Sequence, residues 1–229
     1  EAIFAIPEVI RALKSFDPAI PNDIACFFGL KFVRDLGLKT VMTGDGADEL
    51  FAGYSYMQGI DNLKDYISRM SKGIFFSSNA LGKFFNLQVK QPYLDKDFVD
   101  FCLKIPVKFK LRQDKKTFVG KWILRKAFEK ILPHDIIWQS KRPLEVGSGT
   151  TKLREIIASK IDDEEFRQAK DVYQVKFINK EHYYYYKIYK KEVGKVPAAL
   201  PGEQVCPGCG TGLRKKSGHC RICGWTKKL

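Results

Sequence analysis

Two groups of residues have the types and spacing for chemistry. The first is Asp45, Asp48 and Glu49 in the stretch Thr43-Gly-Asp-Gly-Ala-Asp-Glu-Leu-Phe-Ala-Gly-Tyr54. Three carboxylates within five residues stand where a glycine turn should lead into a helix. They would repel a phosphate unless a cation came between, so the pattern points to a divalent metal bridging acidic side chains to a polyphosphate. Gly44 and Gly46 let the chain turn sharply and let a ligand come close. An Asp-Gly turn with an acidic first helical turn is also ordinary capping chemistry. The second group is Cys206-x-x-Cys209 and Cys220-x-x-Cys223. Each pair forms a knuckle presenting two thiolates to one ion, and the intervening residues suffice for a short hairpin. Four thiolates leave no open coordination position, so the expected ion is a structural Zn²⁺ in a zinc ribbon. A redox pair or an iron cluster would draw on the same cysteines. Cys26 and Cys102 stand alone in apolar surroundings and read as reduced core residues.

The elements that must hold these groups follow from periodicity. Leu38-Lys-Thr-Val-Met42 reads as a buried strand feeding the acidic turn. Ile3, Ile6, Ile10 and Leu13 have helical spacing, and Phe16-Asp-Pro-Ala-Ile-Pro ends that helix. A second helix runs from about Pro21 to Asp35, with Gly37 as its stop. The order helix, strand, loop, helix fits one crossover unit of a parallel sheet. Further helices are expected over 60–70, 96–103 with Asp95 as N-cap, 121–132, 152–170 and 175–192. In the helix over 121–132, Trp122, Leu124, Ala127, Phe128, Ile131 and Leu132 form the expected core face. Lys121 is expected in solvent, although it and Arg125, four apart, could face phosphates. Gly147–Gly149 has the composition of a lid. His182 shows no evident partner. The tyrosines of His182-Tyr-Tyr-Tyr-Tyr-Lys-Ile-Tyr189 are expected to pack, with stacking on RNA bases as the alternative.

The chain has 229 residues, 45% of them hydrophobic, and a formal charge of +14. Its basic character favours polyanionic partners such as nucleotides or RNA. From Asp171 onward twelve Lys and Arg face four Asp and Glu. A contact with RNA by this basic C-terminus, including Arg214-Lys-Lys216, is therefore one expectation for partners. No apolar run has the length of a membrane span and no signal peptide is visible, so the expected location is cytoplasmic, with no membrane partner. The missing initiator Met points to upstream residues. Gly194–Gly202 is rich in Pro and Gly and reads as a linker. The expected division is 1–192, a linker over 193–205, and the zinc ribbon over 206–229.

Thr43–Tyr54 resembles the GDGADELFGGY signature of the asparagine synthetase family, and the match is ungapped. Val89-Lys-Gln-Pro-Tyr-Leu-Asp95 is similar to that family's R-x-P-F-L-D segment, with Lys90 in place of Arg. Lys121-Trp-Ile-Leu-Arg-Lys-Ala-Phe-Glu-Lys-Ile-Leu-Pro133 resembles its K-x-x-L-R-x-A-F-x-x-x-L-P helix, and Trp138-Gln-Ser-Lys141 its W-R-x-K segment. The resemblance implies an adenine-nucleotide α-hydrolase-like (ATP-pyrophosphatase) α/β fold with a parallel sheet, helix-rich in its C-terminal part. It implies an AMP-forming amide ligase in which a carboxylate such as aspartate attacks ATP, pyrophosphate leaves, and an amine displaces AMP from the acyl-adenylate. ATP and Mg²⁺ would be required, with Asp48 holding Mg²⁺ and Gly44, Asp45, Gly46, Glu49 and Lys141 lining the nucleotide. Asp45 and Lys141 would be the catalytic residues. Nitrogen would come from ammonia or a separate glutaminase. The family's Ser-Gly-Gly-x-Asp-Ser loop and its glutaminase domain are not in this sequence and would lie upstream, so the chain alone is expected to be inactive. A tRNA-modifying relative and a non-catalytic nucleotide-binding protein are the alternative expectations.

Overall fold

The structure, a computed structural model, describes residues 1–114, 117–213 and 217–227. Along the chain the elements are α1 Ala2–Leu13, α2 Ile20–Asp35, β1 Thr40–Met42, α3 Ala47–Leu50, α4 Leu63–Ser71, α5 Ser77–Phe84 and β2 Gln88–Lys90. Then come α6 Lys96–Lys104, α7 Val107–Lys110, β3 Leu111–Asp114, β4 Thr117–Gly120, α8 Trp122–Phe128, α9 His134–Ile137 and α10 Leu144–Ser148. The last are α11 Leu153–Ala158, α12 Asp163–Val172, α13 Lys180–Glu192, β5 Gln204–Val205 and β6 Gly212–Leu213. This is the helix-rich α/β composition with a small parallel sheet that the sequence implied. The chain divides into two units. One comprises Glu1–Leu36, Ala80–Phe85 and Pro143–Leu229, the other Gly37–Asn79 and Asn86–Arg142.

The first unit is helical. α1 buries Ala5, Ile6, Val9 and Ile10, one stripe at helical spacing. Pro21 sits in the first turn of α2, where its missing N–H costs nothing. Between them Phe16 is fully buried. It meets Tyr186 and Tyr189 of α13 edge-on at 5.2 and 5.1 Å and stacks on His182 at 5.3 Å. His182 thus has a partner that its surroundings in sequence do not reveal. Tyr183, Tyr185, Tyr186 and Tyr189 are all buried, so the tyrosine run packs, as expected, and those four rings are not available for stacking on bases. Glu181 is buried too, bonded by Tyr185 Oη at 2.8 Å and by Arg154 Nη1 at 3.0 Å to both carboxylate oxygens.

Three expectations for this unit are corrected. The helix over 152–170 is two helices. Asp162 accepts the Glu165 N–H at 2.7 Å and caps a new helix, so a local side-chain bond wins over continuation. The final helix begins at Lys180, because Asn179 caps it by accepting the His182 N–H at 2.8 Å. Gly147–Gly149 is not a plain loop: it falls on α10 and its left-handed cap Gly149. Asn22 Oδ1 accepts the Glu145 N–H at 2.9 Å and the Pro21 carbonyl accepts the Thr150 hydroxyl at 2.8 Å, which tie α10 to α2.

The second unit carries the acidic stretch. β1 and β2 pair in parallel, with Thr40 opposite Gln88 and Met42 opposite Lys90. The strand expected to be buried is exposed: Leu38 is 52% and Met42 71% accessible. Among the described residues β1 has a single neighbouring strand and lacks the cover that parallel strands normally have on both faces. β3 and β4 form an antiparallel hairpin. Two small cores support the site. Leu50, Phe51 and Cys102 form one, and Ala52, Met57, Leu63 and Ile67 the other. Asp95 caps α6 as expected, accepting the Asp97 and Phe98 N–H groups at 3.0 and 3.2 Å. The helix expected over 121–132 stops at Phe128, and the chain continues as a turn toward Pro133. Its core face is corrected as well. Ala127, Phe128, Ile131 and Leu132 are exposed.

Candidate functional site

The site is built around Asp48, in the first turn of the short helix α3 that follows β1. Gly46 opens that helix with φ of 96°, and a Cβ there would lie 2.6 Å from Leu94. Gly46 is therefore required by backbone and packing alike, while Gly44 faces open space. The chain then folds back so that Gly53 lies against Asp48, its N–H donating to the Asp48 carbonyl at 2.8 Å. The next crossing is equally close. Lys121 donates its N–H to the Phe51 carbonyl at 2.8 Å, and a Cβ on Gly120 would lie 2.1 Å from the Ala52 carbonyl oxygen. This stitching brings the start of α8 to the acidic stretch.

The carboxylate of Asp48 is bracketed by two ammonium groups. Lys121 Nζ is 3.0 Å from Oδ1 and Lys141 Nζ is 3.2 Å from Oδ2. Oδ1 is buried and is met by Lys121 as an ion pair, outside directed hydrogen-bond geometry. Asp48 and Lys141, ninety-three positions apart, are thus brought together. Lys121 was expected in solvent; it is instead part of the cluster. The available signal was its place at the head of the K-x-x-L-R helix, one turn from Arg125.

Arg125 is held by backbone carbonyls. Its guanidinium donates to the carbonyls of Gly120 at 2.9 Å, Ile137, and Gln139 at 3.0 Å. Those bonds fix the segment that leads to Lys141. Burial pulls the guanidinium pKa down, and the Asp48 charge opposes that shift. Beside this cluster lies a cavity of about 360 Å³ whose charged lining residues are Lys121, Arg125, Lys141 and Arg142. Its apolar wall includes Leu124, Phe128, Leu132, Ile136 and Ile137. Of the stripe that reads as a core face in sequence, Leu124, Phe128 and Leu132 line this cavity. The volume is within the range of small-molecule sites.

Asp45 and Glu49 stand apart from the lysines. Asp45 Oδ2 accepts from Thr43 Oγ1 at 2.7 Å, Ser78 Oγ at 2.6 Å and Gln91 Nε2 at 2.9 Å. It braces the acidic turn against the start of α5 and the end of β2. Ser78 and Gln91 were not legible as site residues, because nothing local in sequence announces a partner more than thirty positions away. Glu49 is buried and accepts from Tyr54 Oη at 2.6 Å. Burial, and then this bond, push the Tyr54 phenol well above its ordinary range. The Tyr54 ring also lies 5.7 Å from Lys141 Nζ.

The cysteine group is in the other unit. The sulfurs of Cys206, Cys209, Cys220 and Cys223 lie within 4.8 Å of one another, and all four residues are buried. The Arg214-Lys-Lys216 tip, expected as an RNA contact, lies outside the described residues. No helix among the described residues is long and apolar enough to cross a membrane.

Comparison with known proteins adds to the geometry. The asparagine synthase family model matches residues 1–82 and 77–192 and stops short of the cysteines. Asparagine synthetase [glutamine-hydrolyzing] 1 of Arabidopsis thaliana is 28% identical over 207 residues, which cover 83% of this chain and 35% of that protein. The Zea mays asparagine synthetase [glutamine-hydrolyzing] is 26% identical with the same coverage. A probable asparagine synthetase of Dictyostelium discoideum is 28% identical over 192 residues, covering 76% of this chain and 34% of that protein. The chain spans about a third of the length of these curated relatives. With its family match running over most of its length, the chain belongs to the asparagine synthase family.

Proposed function

We propose that this chain supplies part of the ATP site of an amide-forming ligase that works through an acyl-adenylate. The observation that carries the reading is the bracketing of Asp48 by Lys121 and Lys141 beside a cavity lined by four cations. One carboxylate among several cations is matched to a polyphosphate with a bound metal rather than to a neutral ligand. The donor set suits Mg²⁺, which commonly takes one or two carboxylates and completes its shell with phosphate oxygens and water. Asp48 would hold the ion, which when bound neutralises phosphate charge. Lys121 and Lys141, released from Asp48, would turn to the phosphate oxygens and stabilise the charge that develops as pyrophosphate departs. A flexible Lys stem suits that exchange of partners. Asp45 acts as a positioning residue for the turn, and Arg125 holds the segment before Lys141. The apolar wall beside the lysines would keep water from the acyl-adenylate. The acyl substrate in this reading is a small carboxylate such as aspartate, with ammonia, free or delivered by glutamine hydrolysis, as the amine.

The test uses the protein as its gene encodes it. ATP-dependent pyrophosphate release should require aspartate, and amide should form when ammonia is added. Lys141→Ala and Lys121→Ala should each lower the adenylation rate by about 10²-fold or more, the scale of losing one transition-state charge contact. Adenylation at the wild-type rate in both variants would refute the reading.

A further inference from the structure

The cysteine group lies beyond the family match and takes no part in the reaction proposed above. Its two knuckles repeat one geometry. In the first, the Cys206 N–H donates to the Thr211 carbonyl at 2.7 Å and the Gly210 N–H returns to the Cys206 carbonyl at 2.9 Å. In the second, the Cys220 N–H donates to Trp225 at 2.8 Å and the Gly224 N–H returns to Cys220 at 2.9 Å. The Gly208 N–H also points at the Cys206 sulfur at 3.3 Å. Between knuckles the sulfurs approach pairwise, Cys206 to Cys223 at 3.7 Å and Cys209 to Cys220 at 3.8 Å. A disulfide requires about 2.05 Å, far shorter. A tetrahedron with Zn–S bonds of about 2.3 Å has edges of about 3.8 Å, which these separations match.

Each knuckle also grips a different part of the helical unit. The Gly208 carbonyl of the first accepts the Lys176 N–H at 2.8 Å. The Ile222 carbonyl of the second accepts the Phe16 N–H at 2.7 Å and the Ser15 hydroxyl at 3.2 Å. Gly224 presses on the same break between α1 and α2. A Cβ there would lie 2.7 Å from both Asp17 and Pro18, and its φ of 72° already favours glycine. Both gripped segments pack on one face of α13. Phe16 stacks on His182 and meets Tyr186, and Phe177 meets the same two rings at 5.8 and 5.2 Å. An ion held by both knuckles therefore joins the segment around Phe16 to the segment around Phe177 over the face of α13.

We propose that Cys206, Cys209, Cys220 and Cys223 bind one Zn²⁺ that serves as a clasp for the helical unit, so that loss of the metal loosens α1 and α13 as well as the cysteine segment itself. The proposal is independent of the ligase reading. It predicts that a C-terminal metal sets the stability of helices that the family match places in the synthetase region.

The test is made on the intact chain. Elemental analysis should find one zinc per chain, and Co²⁺ exchanged into the site should give the absorption of a tetrahedral tetrathiolate complex. Stripping the metal with a chelator and a thiol-capturing mercurial should lower the melting temperature by on the order of 10 °C. Hydrogen exchange should then quicken in peptides covering residues 5–18 and 180–190. Cys223→Ser should reproduce these losses, and Cys223→His, which keeps a ligand, should retain metal and most of the protection. Should Cys223→Ser fail to fold, the stripped wild-type protein still decides the matter. Four thiols that react freely in the native chain, with no uptake of Zn²⁺ or Co²⁺, overturn the site. A purified chain carrying iron overturns the choice of metal. Metal loss that loosens only residues 204–227, leaving α1 and α13 protected, overturns the clasp.

Discussion

Gly53→Ala is a sharp perturbation of the Asp48 cluster. Gly53 does not occupy the left-handed region, so alanine brings no backbone strain, and the whole effect is one of space. A Cβ at this position would lie 1.8 Å from Asp48 Oδ1, 2.7 Å from its Cγ and 2.9 Å from its Cα. Ordinary contact is about 3.5 Å, so the carboxylate must retreat by about 1.7 Å. The ion pairs at 3.0 and 3.2 Å cannot both survive that movement. Overpacking of this kind costs about 1–3 kcal/mol of stability. A misplacement of about 1 Å in a reacting constellation costs about 10²-fold in rate. The variant should therefore melt a few degrees lower, and calorimetric titration with Mg²⁺ and pyrophosphate should show at least about tenfold weaker binding. Gly59→Ala is the control, because a Cβ there meets nothing within 4 Å. Wild-type melting and wild-type affinity in Gly53→Ala would refute the placement of Asp48.

Arg125→Ala should cost about 2 kcal/mol, since a charged donor leaves three carbonyls; hydrogen exchange at 137–141 should rise, and Arg125→Lys should not restore the three bonds. Arg154→Ala strands the buried Glu181 and should cost about 3 kcal/mol in denaturant unfolding, with little change in pyrophosphate affinity. Cys102 is fully buried and burial pushes its thiol up to about 11. It should resist iodoacetamide at pH 8 in the folded chain and react on unfolding, as mass mapping would report.

The legible parts of this protein are those written in local sequence. The break at Phe16–Ala19, the cap at Asp95 and the two cysteine knuckles all follow from short-range chemistry. The pairing of Asp48 with Lys141 is not local; it is reached through a resemblance and not through spacing. The misread parts are those where tertiary contacts decide. Lys121 looks like a solvated helical lysine until the Phe51 carbonyl fixes its backbone beside Asp48. Phe128 and Leu132 look like core because a cavity wall and a core share the same apolar period. Ser78 and Gln91, the partners that brace Asp45, go unread because they lie far off in sequence. His182 looks isolated because the ring that covers it, Phe16, is at the other end of the chain.

The central claim is that Asp48 is a metal-dependent polyphosphate anchor flanked by Lys121 and Lys141. Its most direct measurement is pyrophosphate binding to the protein as its gene encodes it, wild type against Asp48→Asn, with and without Mn²⁺ in place of Mg²⁺, followed by the Mn²⁺ electron paramagnetic resonance signal. Mn²⁺ and pyrophosphate should bind together to the wild type, and Asp48→Asn should lose the bound Mn²⁺ signal. Equal binding by wild type and Asp48→Asn, indifferent to the metal, would contradict it.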